Sequence, residues 1–146
     1  MDPEGLMGLT IYLLSQTARL GKRTLDDRLA EQGLRLRHMA VLAALADGGP
    51  VAQQELSQRL RIDPGDLTGV VDVLEAQHLV TRTVDPGDRR RRVVRPTDAG
   101  TRRLAELEAL AEAVADELLA PLTPERRRRL HEDLDVVLRA ARARPS

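Results

Sequence analysis

The feature that most constrains this chain is a pair of short strand-like segments joined by a turn. Residues 80–84 (VTRTV) alternate apolar and polar side chains, as half-buried strands do. Residues 92–95 (RVVR) can return as a second strand, which Pro96 would end. Residues 85–88 (DPGD) lie between them, and Asp, Pro and Gly all favour tight turns. The sequence therefore predicts one β-hairpin, and four arginines follow its turn.

The rest of the sequence predicts helices. Apolar residues recur there at the spacing of one helical face. A second DPGD occurs, in which Asp63 suits a helix N-cap and Pro64 suits the first helical position. The same four residues are therefore predicted to start a helix once and to turn a hairpin once. The predicted helices cover residues 6–31, 36–46, 52–60, 64–77, 97–119 and 124–143.

The composition limits the class of protein. At 146 residues, with 42% apolar and 32% charged residues, the chain is long enough for one globular domain. No apolar run approaches the roughly 20 residues that span a bilayer. The first ten residues lack the layout of a signal peptide. We therefore expect a cytoplasmic protein without a membrane partner.

The sequence lacks the residue patterns that enzymes need. It has no cysteine, which excludes disulfides and thiolate metal sites. It also has no phosphate-binding loop, no histidine pair at metal-ligand spacing and no nucleophile beside a base. We therefore expect no enzyme activity, no catalytic residues, no metal and no cofactor.

Charge is balanced over the whole chain but not along it. The 23 basic and 23 acidic residues give a net charge of zero. Residues 81–103, however, hold eight Arg against three Asp, a local net charge of +5. A neutral protein that concentrates positive charge on one hairpin presents that charge to a polyanion, most commonly nucleic acid.

The order of the predicted elements indicates a DNA-binding fold. Helices 52–60 and 64–77 are joined by a three-residue turn, and the hairpin follows them directly. This is the order of a winged helix-turn-helix, in which the second helix lies in the major groove of DNA. The hairpin would then be the wing, with its arginines beside the recognition helix.

The sequence resembles the multiple antibiotic resistance regulators, the MarR family, over nearly its whole length. Residues 80–100 (VTRTVDPGDRRRRVVRPTDAG) match the family's strand, its DPxDRR wing and the LTxxG that opens the next helix. Residues 53–82 (QQELSQRLRIDPGDLTGVVDVLEAQHLVTR) match the family's helix-turn-helix. Both motifs occur at the family's spacing and lie between long terminal helices.

The resemblance implies a mainly α fold with a small β-hairpin wing, a winged helix-turn-helix with N- and C-terminal dimerisation helices. Residues 1–146 would form a single MarR-type domain. Within it, residues 6–34 and 97–143 would be the dimerisation helices, and residues 36–95 would be the DNA-binding lobe.

The resemblance also implies a function. It implies a sequence-specific DNA-binding transcriptional regulator, a ligand-responsive repressor that acts as a homodimer on a pseudo-palindromic double-stranded DNA operator. The two recognition helices of such a dimer would enter major grooves about one helical turn, roughly 34 Å, apart. The implied effector is a small molecule, often aromatic or phenolic.

The resemblance assigns DNA contacts to two groups of residues. In the wing, Asp88 matches the family's aspartate and Arg90 matches the arginine that enters the minor groove. The neighbouring candidates for phosphate contacts are Arg89, Arg91 and Arg92. In the helix-turn-helix, the candidates are Gln53, Gln54, Asp66, Thr68 and Gly69.

Apolar residues of the terminal helices are the candidates for dimerisation. In the helix that follows the wing they are spaced three and four apart, a seam that can serve a core as well as a dimer. The resemblance further places Tyr12 and His38 near an effector pocket, although a core or interface role suits Tyr12 equally well. The predicted dimerisation residues are Leu9, Leu13, Leu104, Leu107, Val114, Leu118, Leu130, Leu134 and Val137.

The predicted recognition helix departs from the family pattern because it is acidic. Residues 62–78 carry four carboxylates and no Lys or Arg. Phosphates repel such a helix, and Gly69 offers no side chain to a base edge. We therefore expect the wing to supply most of the affinity, with each base contact contributing only about 1–3 kcal/mol. This departure leaves a second class of function open, a winged-helix dimer that serves as a protein-interaction or ligand-binding module.

The two arginine runs allow different interpretations. Residues 89–92 would be a solvated loop if the hairpin did not bind DNA, but their place in a wing favours DNA contact. Residues 126–129 lie in the last helix, where ion pairs along the helix or across a dimer are the simpler interpretation. The acidic partners available there are Glu125, Glu132 and Asp133.

Overall fold

The computed structural model describes residues 1–145 and divides them into seven helices and three short strands. The helices are α1 (Glu4–Met7), α2 (Thr10–Ala30), α3 (Leu36–Gly48), α4 (Gln53–Leu60), α5 (Pro64–Ala76), α6 (Asp98–Leu118) and α7 (Pro124–Ala143). The strands are β1 (Val51–Ala52), β2 (Val80–Asp85) and β3 (Asp88–Pro96). The predicted fold class, mainly α with a hairpin wing, is confirmed.

The sheet has the order β1-β3-β2, and both pairings are antiparallel. Strand β1 is a correction to the sequence prediction, which had no strand before α4. It pairs Val51 with Val94 and Ala52 with Val93. Two residues are too few for an alternating pattern to be visible in a sequence, and pairing with β3 alone defines them.

The predicted first helix, residues 6–31, is wrong in one respect, because the structure divides it into α1 and α2. Helix α1 closes where the N–H of Gly8 donates to the carbonyl oxygen of Glu4 at 3.3 Å. Leu9 is then extended, with φ −99° and ψ 116°, before α2 begins. Glycine has low helix propensity, so the chain can bend here without losing much helical stability.

The apolar core lies between α3, α4, α5 and the sheet. It takes leucines from each of the three helices and Val80 and Val94 from the two long strands. Burying each leucine contributes about 1.5–3 kcal/mol relative to leaving it in water. The core therefore fixes α5 against the wing, which is the arrangement that a DNA-binding surface needs. The fully buried leucines of α3, α4 and α5 are Leu42, Leu45, Leu56, Leu67 and Leu74, and α2 and α6 add Leu29 and Leu107.

The start of α6 is tied to the end of α5. The hydroxyl of Thr97 accepts from the N–H of Gly100 at 3.0 Å and donates to the carbonyl oxygen of His78 at 2.7 Å. A Cβ at Gly100 would lie 2.0 Å from the carbonyl oxygen of Leu79. The threonine and glycine of the TxxG motif are therefore needed for helix capping and for close approach of α6 to the chain that leaves α5.

Candidate nucleic-acid interface

The wing is a tight hairpin whose two aspartates shape the turn. Asp85 accepts from the N–H of Gly87 at 2.9 Å, and Asp88 accepts from the N–H of Arg90 at 3.0 Å. Asp85 and Asp88 face each other across the end of the sheet, so only two residues remain in the loop. The turn therefore follows the chemistry predicted for DPGD.

The four arginines after the turn belong to β3, not to a loop, and the predicted strand of residues 92–95 is too short. The strand begins at Asp88 because its backbone pairs with β2 as far as Asp85. Backbone pairing does not depend on side-chain polarity, which explains why an exposed arginine run can be a strand. Arg92 pairs with Val84, whereas residues 89–91 lie at an irregularity in the register between that pair and the pair Asp85–Asp88.

The wing arginines differ in their local partners. Arg91 lies 3.1 Å from a carboxylate oxygen of Glu55 and 3.7 Å from one of Asp85. Within residues 1–145, no carboxylate lies within 4.0 Å of the other three, which are exposed. Those three side chains can meet an external anion without first losing an ion pair. They are Arg89, Arg90 and Arg92.

A cleft of about 290 Å³ joins the wing to the helix-turn-helix. Its walls come from the beginnings of α4 and α5 and from β3. The predicted DNA contacts of both groups therefore meet on one side of the molecule. The predicted residues that line it are Gln53, Gln54, Thr68, Arg90, Arg91 and Arg92.

Thr68 is engaged within the protein. Its hydroxyl donates to the carbonyl oxygen of Pro64 at 3.0 Å and accepts from the side-chain amide of Gln53 at 2.9 Å. The hydroxyl proton of Thr68 is therefore used in a hydrogen bond within α5, whereas the methyl group of Thr68 remains available to a base. Thr68 and Gln53 together join α4 to the recognition helix.

The acidic residues of α5 have partners that the sequence did not reveal. Asp63 is the N-cap of α5 and accepts from the backbone N–H of Gly65 at 3.0 Å. Asp66 lies 3.4 Å from the guanidinium of Arg37, an exposed pair that contributes about 0–1 kcal/mol. The remaining two acids, Asp72 and Glu75, both contact Arg82.

The exposed face of α5 offers little to a base edge by hydrogen bonding. A Cβ at Gly69 would have no atom within 4 Å, so this position is open. Val73 is 36% exposed, and it can contact only apolar groups such as a thymine methyl. Asp66 is the remaining predicted contact on this face, and its carboxylate can accept from cytosine N4.

The predicted dimerisation residues fall into two classes. Leu104, Leu107 and Val114 are buried within one chain, at 6%, 0% and 5% exposure, so they belong to its core and not to a free surface. Periodicity identifies a shared face but not what covers it, so the part of these three residues in a dimer stays a prediction. Leu118 and Leu130 are half-buried. The exposed members are Leu9, Leu13, Leu134 and Val137.

Tyr12 and His38 do not share a pocket in one chain. The Asp2 carboxylate near the Tyr12 hydroxyl raises the pKa of Tyr12. His38 lines a groove of about 640 Å³ between α3 and α5 that also includes Arg35 and Asp66, and Tyr12 is not among its lining residues. Burial lowers the pKa of His38.

A second groove, of about 800 Å³, lies between α2, α3 and the turn of the helix-turn-helix. It has no aromatic lining residue and is rich in cations. Two acids, Asp26 and Asp27, also line it. This groove could not be predicted from the sequence, because its walls come from separate segments of the chain. Its cationic residues are Lys22, Arg35, Arg37 and Arg61.

No helix among residues 1–145 is both long enough and apolar enough to cross a membrane. In the same part of the chain, no three or more His, Asp or Glu side chains are grouped as a metal ion would require.

Known proteins resemble this chain in sequence and in structure. The MarR family model matches residues 32–91. The HTH-type transcriptional repressor NicR of Pseudomonas putida is 36% identical over 75 residues, which are 51% of this chain and 48% of NicR. The chain therefore matches about half the length of this curated relative.

Solved structures extend the similarity to most of the chain. A MarR-family transcriptional regulator from Rhodococcus sp. RHA1 superimposes with a TM-score of 0.71 at 26% identity, covering 86% of this chain and 89% of that one. CouR from Rhodococcus jostii RHA1, solved with p-coumaroyl-CoA bound, has the same fold, with a TM-score of 0.70 at 23% identity over 90% and 93% of the two chains. The family model, the curated relative and the solved structures agree, and the chain belongs to the MarR family.

Proposed function

We propose that this chain is a DNA-binding transcriptional regulator that acts as a homodimer on a pseudo-palindromic operator. The observation that carries the proposal is the cleft between wing and helix-turn-helix, where exposed wing arginines adjoin the recognition helix. The chain has no net charge, so this local concentration of cations is a feature of the site and not of the composition. Phosphate oxygens and a narrow minor groove are the partners that such arginines suit.

We assign most of the affinity to the wing. Arg90 is exposed, its backbone N–H donates to Asp88 at the end of the turn, and it has no intramolecular ion pair among residues 1–145. The recognition helix instead offers Asp66, an open Gly69 and the methyl group of Thr68. These groups support only modest base discrimination.

The test compares single substitutions in titrations of operator DNA at several salt concentrations. Arg90→Ala is expected to weaken binding about tenfold and to reduce the slope of log K against log salt by about 1. Arg91→Ala is the matched control on the same strand, and its smaller effect follows from its pairing with Glu55 and Asp85. Thr68→Ala is expected to have a small effect as well.

Two results would contradict the proposal. If Thr68→Ala abolished binding while Arg90→Ala changed little, the recognition helix and not the wing would hold the DNA. If the wild-type protein bound all DNA weakly, without preference for any sequence, the alternative of a protein-interaction or ligand-binding module would be favoured.

The homodimer is supported by apolar surface that one chain leaves uncovered. Helix α7 runs for 20 residues without a single buried side chain. Its apolar stripe includes Leu134, Val137 and Leu138, which are 44%, 64% and 50% exposed. Ile11 on α2 is 74% exposed. A helix of this kind needs a partner to cover its stripe, and a second copy of the chain would supply one.

A small-molecule effector is the remaining part of the proposal. CouR was solved with p-coumaroyl-CoA bound, which shows that this fold accommodates a ligand. In the present chain the groove of about 800 Å³ reaches the turn of the helix-turn-helix, and its cations suit an anionic ligand. A ligand there could move α4 relative to the recognition helix. An aromatic or phenolic carboxylate combines this charge with the ligand class that the family resemblance implies.

A further inference from the structure

The acidic recognition helix raises an electrostatic problem that the fold must solve. Asp72 and Glu75 lie on the second half of α5, and residues 62–78 contain no Lys or Arg to balance them. Both side chains are partly exposed, at 55% and 42%. Unpaired carboxylates in this place would repel the phosphates on either side of a major groove.

Arg82 lies against both of these carboxylates. One Nη atom of its guanidinium is 2.5 Å from Asp72 and 3.3 Å from Glu75. The Arg82 side chain is only 19% exposed, although it is charged and belongs to the wing strand β2. The hydrogen bond to Asp72, and then the negative charges of Asp72 and Glu75, raise the pKa of Arg82.

Arg82 also reaches the first helix of the helix-turn-helix. Its other Nη atom lies 3.5 Å from the side-chain oxygen of Gln53, at the limit of a hydrogen bond. The amide nitrogen of Gln53 in turn donates to Thr68 on α5 at 2.9 Å. One side chain from the wing therefore contacts α4 and α5, while its charge is directed at the acids of α5.

We infer that Arg82 is a positioning residue for DNA binding, which acts by pairing with Asp72 and Glu75 and offsetting one of their two negative charges on the recognition helix. This inference rests on the proposed function. Arg82 therefore differs in role from the arginines after the turn. Its guanidinium pairs with two carboxylates, and both ion pairs would have to break before it could contact a phosphate. The acidic charge of α5, which departs from the family pattern, is thus partly offset by an arginine on the neighbouring strand β2.

The test uses DNA that the wild-type protein itself selects from a random duplex library. Arg82→Met is expected to weaken binding to that duplex about tenfold or more, because it unmasks two like charges beside the phosphates. The triple variant Arg82→Met, Asp72→Asn, Glu75→Gln removes the acids as well and is expected to bind within about threefold of wild type. Arg23→Met, an exposed cation on α2, is the charge-matched control and is expected to leave binding unchanged.

The rescue distinguishes charge cancellation from direct DNA contact. If the triple variant bound as poorly as Arg82→Met, Arg82 would itself contact DNA and the inference would be overturned. Wild-type affinity in Arg82→Met would overturn it too. If Arg82→Met failed to fold, as a thermal melt would reveal, the triple variant leaves no unpaired acid and is compared with wild type directly. A tenfold loss there overturns the inference.

Failure of the proposed function has a different signature. If the wild-type protein enriched no sequence from the library, both the regulator function and the role of Arg82 in it would fall. If the wild-type protein enriched a sequence and only the Arg82 variants behaved contrary to expectation, the inference alone would fail.

Discussion

His38 shows how one side chain can make folding depend on pH. It is 7% exposed, and its Nδ1 accepts from the backbone N–H of Arg35 at 2.8 Å at the start of α3. Only the neutral ring with its proton on Nε2 can accept this bond, and burial lowers the pKa of His38 below its usual 6.5. The unfolded chain therefore takes up a proton at a higher pH than the folded chain does.

Because the pKa of His38 is lowered in the folded chain, the protein is expected to lose stability as the pH falls. The stabilisation from neutral His38 is fully present above about pH 6.5 and is lost as the pH falls from there through the lower folded pKa. We predict that the wild-type free energy of unfolding decreases between pH 7.5 and 5.5 by more than that of His38→Gln. Glutamine can still accept from Arg35 but does not titrate. Urea unfolding at the two pH values measures the difference.

The matched control is His131→Gln, since His131 is exposed on α7. It should keep the wild-type pH dependence. An unchanged pH dependence in His38→Gln would show that other groups cause the loss of stability in acid.

At the junction of α5 with α6, the start of α6 packs directly against the backbone that leaves α5. His78 leaves α5 with φ 60°, a left-handed conformation that residues other than glycine adopt at a cost of about 1–2 kcal/mol. Thr97 then caps α6 while bonding back to His78, and Gly100 packs on the carbonyl of Leu79. This junction sets the angle between the DNA-binding lobe and the helix that leads away from it.

We predict that Gly100→Ala destabilises the protein by about 1–3 kcal/mol, because backbone cannot move aside as readily as a side chain. The new Cβ would lie 2.0 Å from the carbonyl oxygen of Leu79. Gly69→Ala is the contrasting control within a helix. Its Cβ would meet nothing within 4 Å, so stability should rise by about 0.5–1 kcal/mol. Thermal or urea unfolding of both variants measures these changes, and equal effects would contradict the packing argument.

At the scale of the whole molecule, the exposed apolar stripe of α7 and the apolar residues of α1 and α2 remain without a cover in one chain. The α6 residues Leu104, Leu107 and Val114 already pack within one chain, where Leu107 is 0% exposed. The dimer contact is therefore expected at the two ends of the chain. Its formation would place two wings and two recognition helices on one DNA.

We predict that Leu134→Glu with Val137→Glu converts a dimer into a monomer of 16.1 kDa, because two charges would enter the covered stripe. Light scattering measures the mass, and operator affinity should fall with it because one lobe alone holds only a half-site. Arg128→Glu adds an acid to an exposed position elsewhere on α7 and should leave the dimer intact. A wild-type protein that already scatters as a monomer would contradict the proposed assembly.

Much of the fold could be predicted from the sequence because its signals are local. Asp63 and Thr97 cap helices, as expected, and DPGD turns the hairpin where predicted. The break at Gly8 and Leu9 could not be predicted, since the apolar spacing continues across it. The two residues of β1 acquire their conformation only by pairing with β3.

The sequence by itself determined the family, the order of the elements and the concentration of arginines in the wing, because each depends on residues that are near one another in the chain. Tertiary structure alone decided which face of α6 is core, which groove gathers cations, and which arginine offsets part of the negative charge of the recognition helix. Arg82 belongs to the wing by sequence, yet folding turns its guanidinium onto Asp72 and Glu75. Residue spacing specifies the face on which a side chain lies, whereas only packing decides what meets that face.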